Sequence, residues 1–248
     1  MSEATRGRVR VEEGRKRVRT YFEGRLVADT LRPHLVWESP YYPTYYFPAE
    51  DVKAQLVPTG KTEHSPSRGD AEVLDVVVDG KTAESAARRI PESPLEVLQG
   101  LVRVDFDAMS EWFEEDEPIY VHPRDPHTRI DILTSSRHIR VEIDGVTVAD
   151  SHQPRILFET GLRPRYYLPL TDVRMDLLRP SETQTHCPYK GTASYYSVDT
   201  GTAVHEDVVW YYRTPLAESQ KIAGLAAFWN EKLDIYVDGV LEDRKKGL

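Results

Sequence analysis

The sequence predicts an all-β protein made of two tandem copies of a compact, short-stranded, barrel-like or tent-like unit related by a pseudo-twofold. Three observations predict it. The chain matches itself at a fixed offset of 121 residues, its apolar residues alternate with a period of two, and Gly and Pro interrupt the runs frequently. The boundaries that follow are residues 1–125 for repeat one and 126–248 for repeat two, with His122–His127 as the linker.

Without a gap, Arg8–Leu56 aligns on Arg129–Leu177. Identities include Gly24/Gly145, Val27-Ala28-Asp29 with Val148-Ala149-Asp150, Glu38/Glu159, Tyr45-Tyr46 with Tyr166-Tyr167, and Asp51-Val52 with Asp172-Val173. A one-residue shift then pairs His64–Gly69 with His186–Gly191. Further on, Ile119-Tyr120-Val121 is set against Ile235-Tyr236-Val237, which leaves repeat one an extra acidic loop around Asp107–Glu114.

The elements follow in order. Val18, Thr20 and Phe22 alternate with polar neighbours, as do Ile139, Val141 and Ile143, which is the pattern of a half-buried strand. Glu23-Gly24 and Asp144-Gly145 then supply tight hairpin turns. Strands are expected at Leu35–Glu38, Tyr45–Phe47, Val52–Leu56 and Val73–Val78, with partners in repeat two, and at Asp207–Tyr212, Ile222–Trp229 and Leu233–Val237. One short helical stretch is expected near Leu216–Lys221. The acidic run Glu111–Glu117 is expected as a loop, and the basic stretch Arg6–Arg25 as a solvated face.

A formal net charge of −9 argues against nonspecific nucleic-acid binding, which needs clustered cations. The single cysteine, Cys187, excludes an internal disulfide and any multi-cysteine zinc site, and scattered histidines predict no metal site. The N-terminus lacks a signal-peptide apolar core and no stretch approaches membrane-spanning length, so a soluble, cytoplasmic chain without membrane contact is expected. Tandem copies can cover each other's faces, which predicts a monomer with an internal pseudo-dimer.

Three motifs stand out in repeat two: G-x-x-V-A-D-S at Gly145–Ser151, E-x-G-x-x-P-x-Y-Y-x-P-x-x-D-V at Glu159–Val173, and T-x-C-P-Y-K-G-x-A-x-Y at Thr185–Tyr195. Together they resemble the domain-of-unknown-function 427 family. Repeat one follows the first two but has Ser65 and Arg68 where the third has Cys187 and Lys190. The resemblance implies a β-rich unit similar to tent-like sheets, and the nucleotidyltransferase label attached to the family implies a nucleotide-using transferase.

The residues themselves leave the chemistry open. Cys187 is a small buried side chain, a ligand contact or a thiolate nucleophile favoured by Lys190. Lys190 either binds an anionic group or is solvated. Tyr166 and Tyr167, adjacent on a strand, point to opposite faces, and Asp150 and Asp172 suit turn caps. Glu159, at the end of an apolar strand, needs a partner such as Arg140 or Arg155, or else faces a pocket. No Gly-Ser turn followed by an Asp-x-Asp pair is present; Asp105-Phe106-Asp107 has the spacing but no counterpart in repeat two, and His205-Glu206-Asp207 offers one ligand at most. Two functions are therefore carried forward. The first is noncatalytic binding of a small molecule or peptide, with a pocket in repeat two lined by Glu159, Tyr166, Tyr167, Cys187, Tyr189, Lys190, Trp210 and Tyr212. The second is a transferase, nucleotide-using as the resemblance implies; the cofactor is unknown in either case.

Overall fold

In a computed structural model, which describes residues 9–244, the chain divides between Asp125 and Pro126 into two compact units. Repeat one supplies β1 (Arg10–Glu13), β2 (Val18–Phe22), β3 (Arg25–Thr30), β4 (His34–Trp37), β5 (Thr44–Pro48) and β6 (Gln55–Ser65). It continues with β7 (Gly69–Val78), β8 (Lys81–Arg89), β9 (Leu101–Val104), β10 (Glu111–Glu114) and β11 (Glu117–Ile119). Repeat two supplies β12 (Ile130–Thr134), β13 (Ile139–Ile143), β14 (Val146–Ser151), β15 (Arg155–Glu159), β16 (Arg165–Leu168) and β17 (Leu178–Cys187). Its remaining strands are β18 (Gly191–Asp199), β19 (Val204–Tyr212), β20 (Ala226–Phe228), β21 (Asp234–Val237) and β22 (Val240–Leu241).

Each repeat is all-β and holds a seven-stranded and a four-stranded antiparallel sheet. The long sheets run β1-β4-β5-β9-β8-β7-β6 and β12-β15-β16-β20-β19-β18-β17; the short ones run β11-β10-β2-β3 and β14-β13-β21-β22. The two orders are the same, strand for strand. Even the irregularities recur: bulges fall between Thr20 and Tyr21 and between Val141 and Glu142, and again between Leu74 and Val76 and between Tyr196 and Val198. The sheets stay open, with no closed barrel, and the long edge strand β6 carries Pro58, Lys61 and Glu63, which discourage pairing with another chain.

Local chemistry explains the elements. At both first hairpins the turn residues have positive φ: 47° and 75° at Glu23-Gly24, 50° and 77° at Asp144-Gly145. This is the type I′ geometry that matches strand twist and that a glycine at the second position adopts without strain. Alternation then buries Val18 and Thr20, or Ile139, Val141 and Ile143, between the two sheets of the repeat. The main cores gather Val27, Phe47, Leu74 and Trp112 in repeat one, and Val148, Leu168, Val209 and Phe228 in repeat two. A smaller apolar cluster lies on the opposite face of each long sheet, around Tyr46 in repeat one and Tyr167 in repeat two.

Four expectations change. The acidic run Glu111–Glu117 is a hairpin, β10–β11, turning at Glu115, so repeat one has no extra loop there. Trp112 lies opposite Thr20 as Ile235 lies opposite Val141, which makes β10 the counterpart of β21 in place of Ile119–Val121. The helical stretch is a 3-10 turn over Ala217–Ile222. The basic stretch is paired as well as solvated: Lys16 meets Glu114, Arg17 meets Asp29 and Arg19 meets Asp116, while its first residues, Arg6 to Arg8, lie outside the described ones.

Candidate functional site

The outer face of repeat two's long sheet gathers most of the singled-out residues. On β16 the pleat sends Tyr167 to this face, where it packs with Leu157, Ala193, Tyr212, Ile222 and Ala227. Tyr166 goes the other way, into the main core, and donates its hydroxyl to Glu242 Oε1 at 2.6 Å. Tyr166 therefore leaves the site, for the same alternation that places its neighbour there.

The β17–β18 hairpin delivers the motif residues. Cys187 pairs with Gly191 at its tip, and Pro188-Tyr189-Lys190 form the turn. Lys190 Nζ donates to Glu159 Oε2 at 2.6 Å, with only 12% and 9% of the two side chains exposed. The partner of Glu159 is thus Lys190, neither Arg140 nor Arg155: Arg140 turns to Glu142 and the Tyr236 ring, and Arg155 to the Thr134 hydroxyl. Tyr189 is buried beneath the turn, its carbonyl accepting from the Ser219 hydroxyl, and is a support for the tip.

One rung across the sheet organises the aromatics. Tyr195 lies opposite Trp210, Trp210 opposite Ala227, and Ala227 opposite Tyr167. Ala227 is small enough for Trp210 Nε1 to reach over it and donate to the Tyr167 hydroxyl at 3.2 Å. Burial raises the hydroxyl pKa of both Tyr167 and Tyr212 well above the usual phenol range, and the charge of Glu159 adds to it. Both tyrosines therefore stay neutral through the physiological range.

In repeat one the same rung reads Val73, Arg88, Arg103, Tyr46. Glu38 accepts from the Tyr46 hydroxyl at 2.6 Å and pairs with Arg68 at 2.5 Å and Arg103 at 2.9 Å. Arg88 and Arg103 both reach Asp105, and Arg88 also pairs with Glu63. Asp105, one of the two aspartates with metal-ligand spacing, is consumed by this network. Tyr46, Ser65, Arg68, Arg88 and Arg103 line a cavity of 70 Å³, roomy enough for about two waters. A larger cavity of 490 Å³ in repeat two lies toward Thr134, His152, Arg155 and Lys221, and Cys187 and Lys190 are not among its lining residues. Around the motif itself the side chains form a polar cluster on the sheet face, centred on the Lys190–Glu159 pair.

Two further candidates have structural roles. Asp172 accepts from the Ser151 hydroxyl at 2.6 Å, as Asp51 does from Thr30 at 2.7 Å. His205, on β19, meets Asp144 in the turn of the first hairpin at 2.7 Å. Sequence reasoning missed Tyr195 and Ala227. The first was visible as the last position of the third motif; the second had no local signal, because its importance is that it replaces an arginine across the sheet.

The sequence pattern of a family described as a domain of unknown function, DUF427, matches residues 10–115 and again residues 131–239. The chain belongs to the DUF427 family. It carries the DUF427 domain twice, and each match takes in most strands of one repeat. The Glu159–Lys190 cluster falls inside the second DUF427 match and the Glu38–Arg68 network inside the first. No curated protein matches the chain. Among the described residues no helix is long and apolar enough to cross a membrane.

Proposed function

We propose that repeat two is a noncatalytic binding module for a small molecule or peptide, which lies across the outer face of its long sheet. One observation carries the reading: a nearly enclosed Lys190–Glu159 ion pair stands beside half-exposed Trp210, Tyr195 and Cys187. A ligand with both a donor and an acceptor, such as a zwitterion or a peptide end, exchanges charge-assisted hydrogen bonds with the pair. Trp210 and Tyr195 offer ring faces for its apolar part. A transferase, suggested by the nucleotidyltransferase label of DUF427, has less support, because the one Asp-x-Asp pair has Asp105 held by two arginines.

The test uses the single cysteine as a reporter. A thermal-shift screen of zwitterionic metabolites, short peptides and nucleotides identifies binders by a raised midpoint. Iodoacetamide labelling of Cys187 is then timed with and without each binder. Binders of this site slow the labelling, and Lys190→Met abolishes their shift. Binders that leave both the labelling rate and the Lys190→Met shift unchanged refute the reading.

A further inference from the structure

We propose that His138, Asp150 and His152 form a binding site for a late first-row divalent ion, of the Zn²⁺, Ni²⁺ or Cu²⁺ class, on the solvent face of the β13–β14 hairpin. The register makes the site. Ile139 pairs with Ser151 and Arg140 with Asp150, so His138 and His152 are the next cross-strand neighbours, with Asp150 beside them on the same face. The two imidazole rings stack at 4.3 Å with 14° between planes, and His138 Nε2 lies 2.8 Å from Asp150 Oδ1. One donor atom from each residue lies within 4.8 Å of the others. Two bonds of about 2.1 Å span about 4.2 Å, so a small rotation of half-exposed side chains closes the set around one ion.

The backbone is held for this purpose. Asp238 accepts from the His138 amide at 2.9 Å and from Arg137 Nε at 2.7 Å, which anchors the start of β13. Arg140, the cation nearest on that face, is engaged by Glu142 and the Tyr236 ring. Two imidazoles and one carboxylate with open positions suit borderline transition metals and not Mg²⁺ or Ca²⁺.

Repeat one provides an internal control. Glu115 holds the Arg17 amide at 2.9 Å, as Asp238 holds that of His138, and Asp29 occupies the place of Asp150. The two histidine positions are Arg17 and Leu31, and Arg17 clasps Asp29 through Nε and Nη2, at 2.7 and 2.5 Å. A guanidinium cannot bind a metal, so only repeat two keeps the donor set. Sequence distance hid it: His138 and His152 meet only because the hairpin folds one over the other. His152 also lines the 490 Å³ cavity, which gives an ion there a neighbouring space for a small anionic ligand.

Calorimetric titration of the untagged chain with ZnCl₂ and NiCl₂ tests this. One ion per chain is expected, weakened by about tenfold or more in His152→Ala and in Asp150→Asn. Asp29→Asn leaves it unchanged and MgCl₂ gives no binding signal. Because Asp150 and His152 are exposed, their variants report on binding while the fold is kept; independently of them, the electron paramagnetic resonance spectrum of the wild type with one equivalent of Cu²⁺ shows two imidazole nitrogens. No binding at millimolar ion, binding untouched by both repeat-two variants, binding lost in Asp29→Asn, or fewer than two nitrogens overturns the proposal.

Discussion

Across equivalent rungs of equivalent sheets, repeat one places Arg88, Arg103 and Tyr46 where repeat two places Trp210, Ala227 and Tyr167. Both keep a glutamate and a hairpin-tip cation. In repeat one Glu38 is shared by Arg68, Arg103 and the Tyr46 hydroxyl, and the surplus guanidinium charge is spread over Asp105 and Glu63. In repeat two Glu159 meets Lys190, the tyrosine hydroxyl is turned to an indole, and half-exposed Trp210 and small Ala227 take the places of Arg88 and Arg103. The same scaffold thus supports a closed network of charges in one copy and a lean ion pair beside ring faces in the other. A site whose charges satisfy one another has little to offer a ligand; one with a single pair and open rings has more.

The sharpest way to break this comparison is to remove the tip cation. Lys190→Ala strands a buried carboxylate and is expected to cost about 3 kcal/mol. Arg68→Ala leaves Glu38 with Arg103 and Tyr46 and should cost about 1 kcal/mol. Urea unfolding of the whole chain measures both, and equal losses would show that the two networks are equally redundant. The tyrosines should reverse the order. Tyr46→Phe removes a hydroxyl that donates to a carboxylate, at about 2 kcal/mol, whereas Tyr167→Phe removes an acceptor for a half-exposed indole and should cost under about 1 kcal/mol.

Where the copies agree, effects should agree. Gly24→Ala and Gly145→Ala each force a side chain into a left-handed turn, at φ 75° and 77°, for about 1 kcal/mol apiece. A clear inequality in unfolding midpoints would mean that the hairpins are not equivalent in energy. The smallest effect is on acid stability. The hydrogen bond from Arg17 holds the Asp29 carboxyl below its usual range. A depressed folded pKa stabilises above the ordinary value, about 3.9, and that contribution is lost as pH falls through the folded one. Asp29→Asn should therefore lower the urea midpoint at pH 5 and converge with wild type near pH 2; a constant gap across that range would contradict the assignment.

Much of this architecture was legible in the residues, and the misses have physical causes. Alternation at Val18–Phe22 and Ile139–Ile143, with Glu-Gly and Asp-Gly after them, marked the first hairpins because one face is buried and the turn needs positive φ. The long strands β6 and β17 were not legible, since most of their residues are exposed on both faces and carry Pro58, Gly60 and Pro180, so no alternation survives. The acidic run that looked like a loop folds as β10–β11 because Trp112 and Ile119 are buried while the glutamates mostly face solvent, Glu114 excepted.

By itself, the sequence determined the duplication, the all-β class, the turns and that two adjacent tyrosines face opposite ways, because these depend on local φ preferences and a period of two. Only the tertiary structure decided the partners. Glu159 meets Lys190, 31 residues away, instead of either arginine suggested by proximity in the chain. Ala227 opens a path between Trp210 and Tyr167, and His138 comes to stack on His152. Each of these depends on the register of strands paired across bulges, where a shift of one residue would send every side chain to the opposite face. Register is set by the packing of whole sheets, and no spacing along the chain records it.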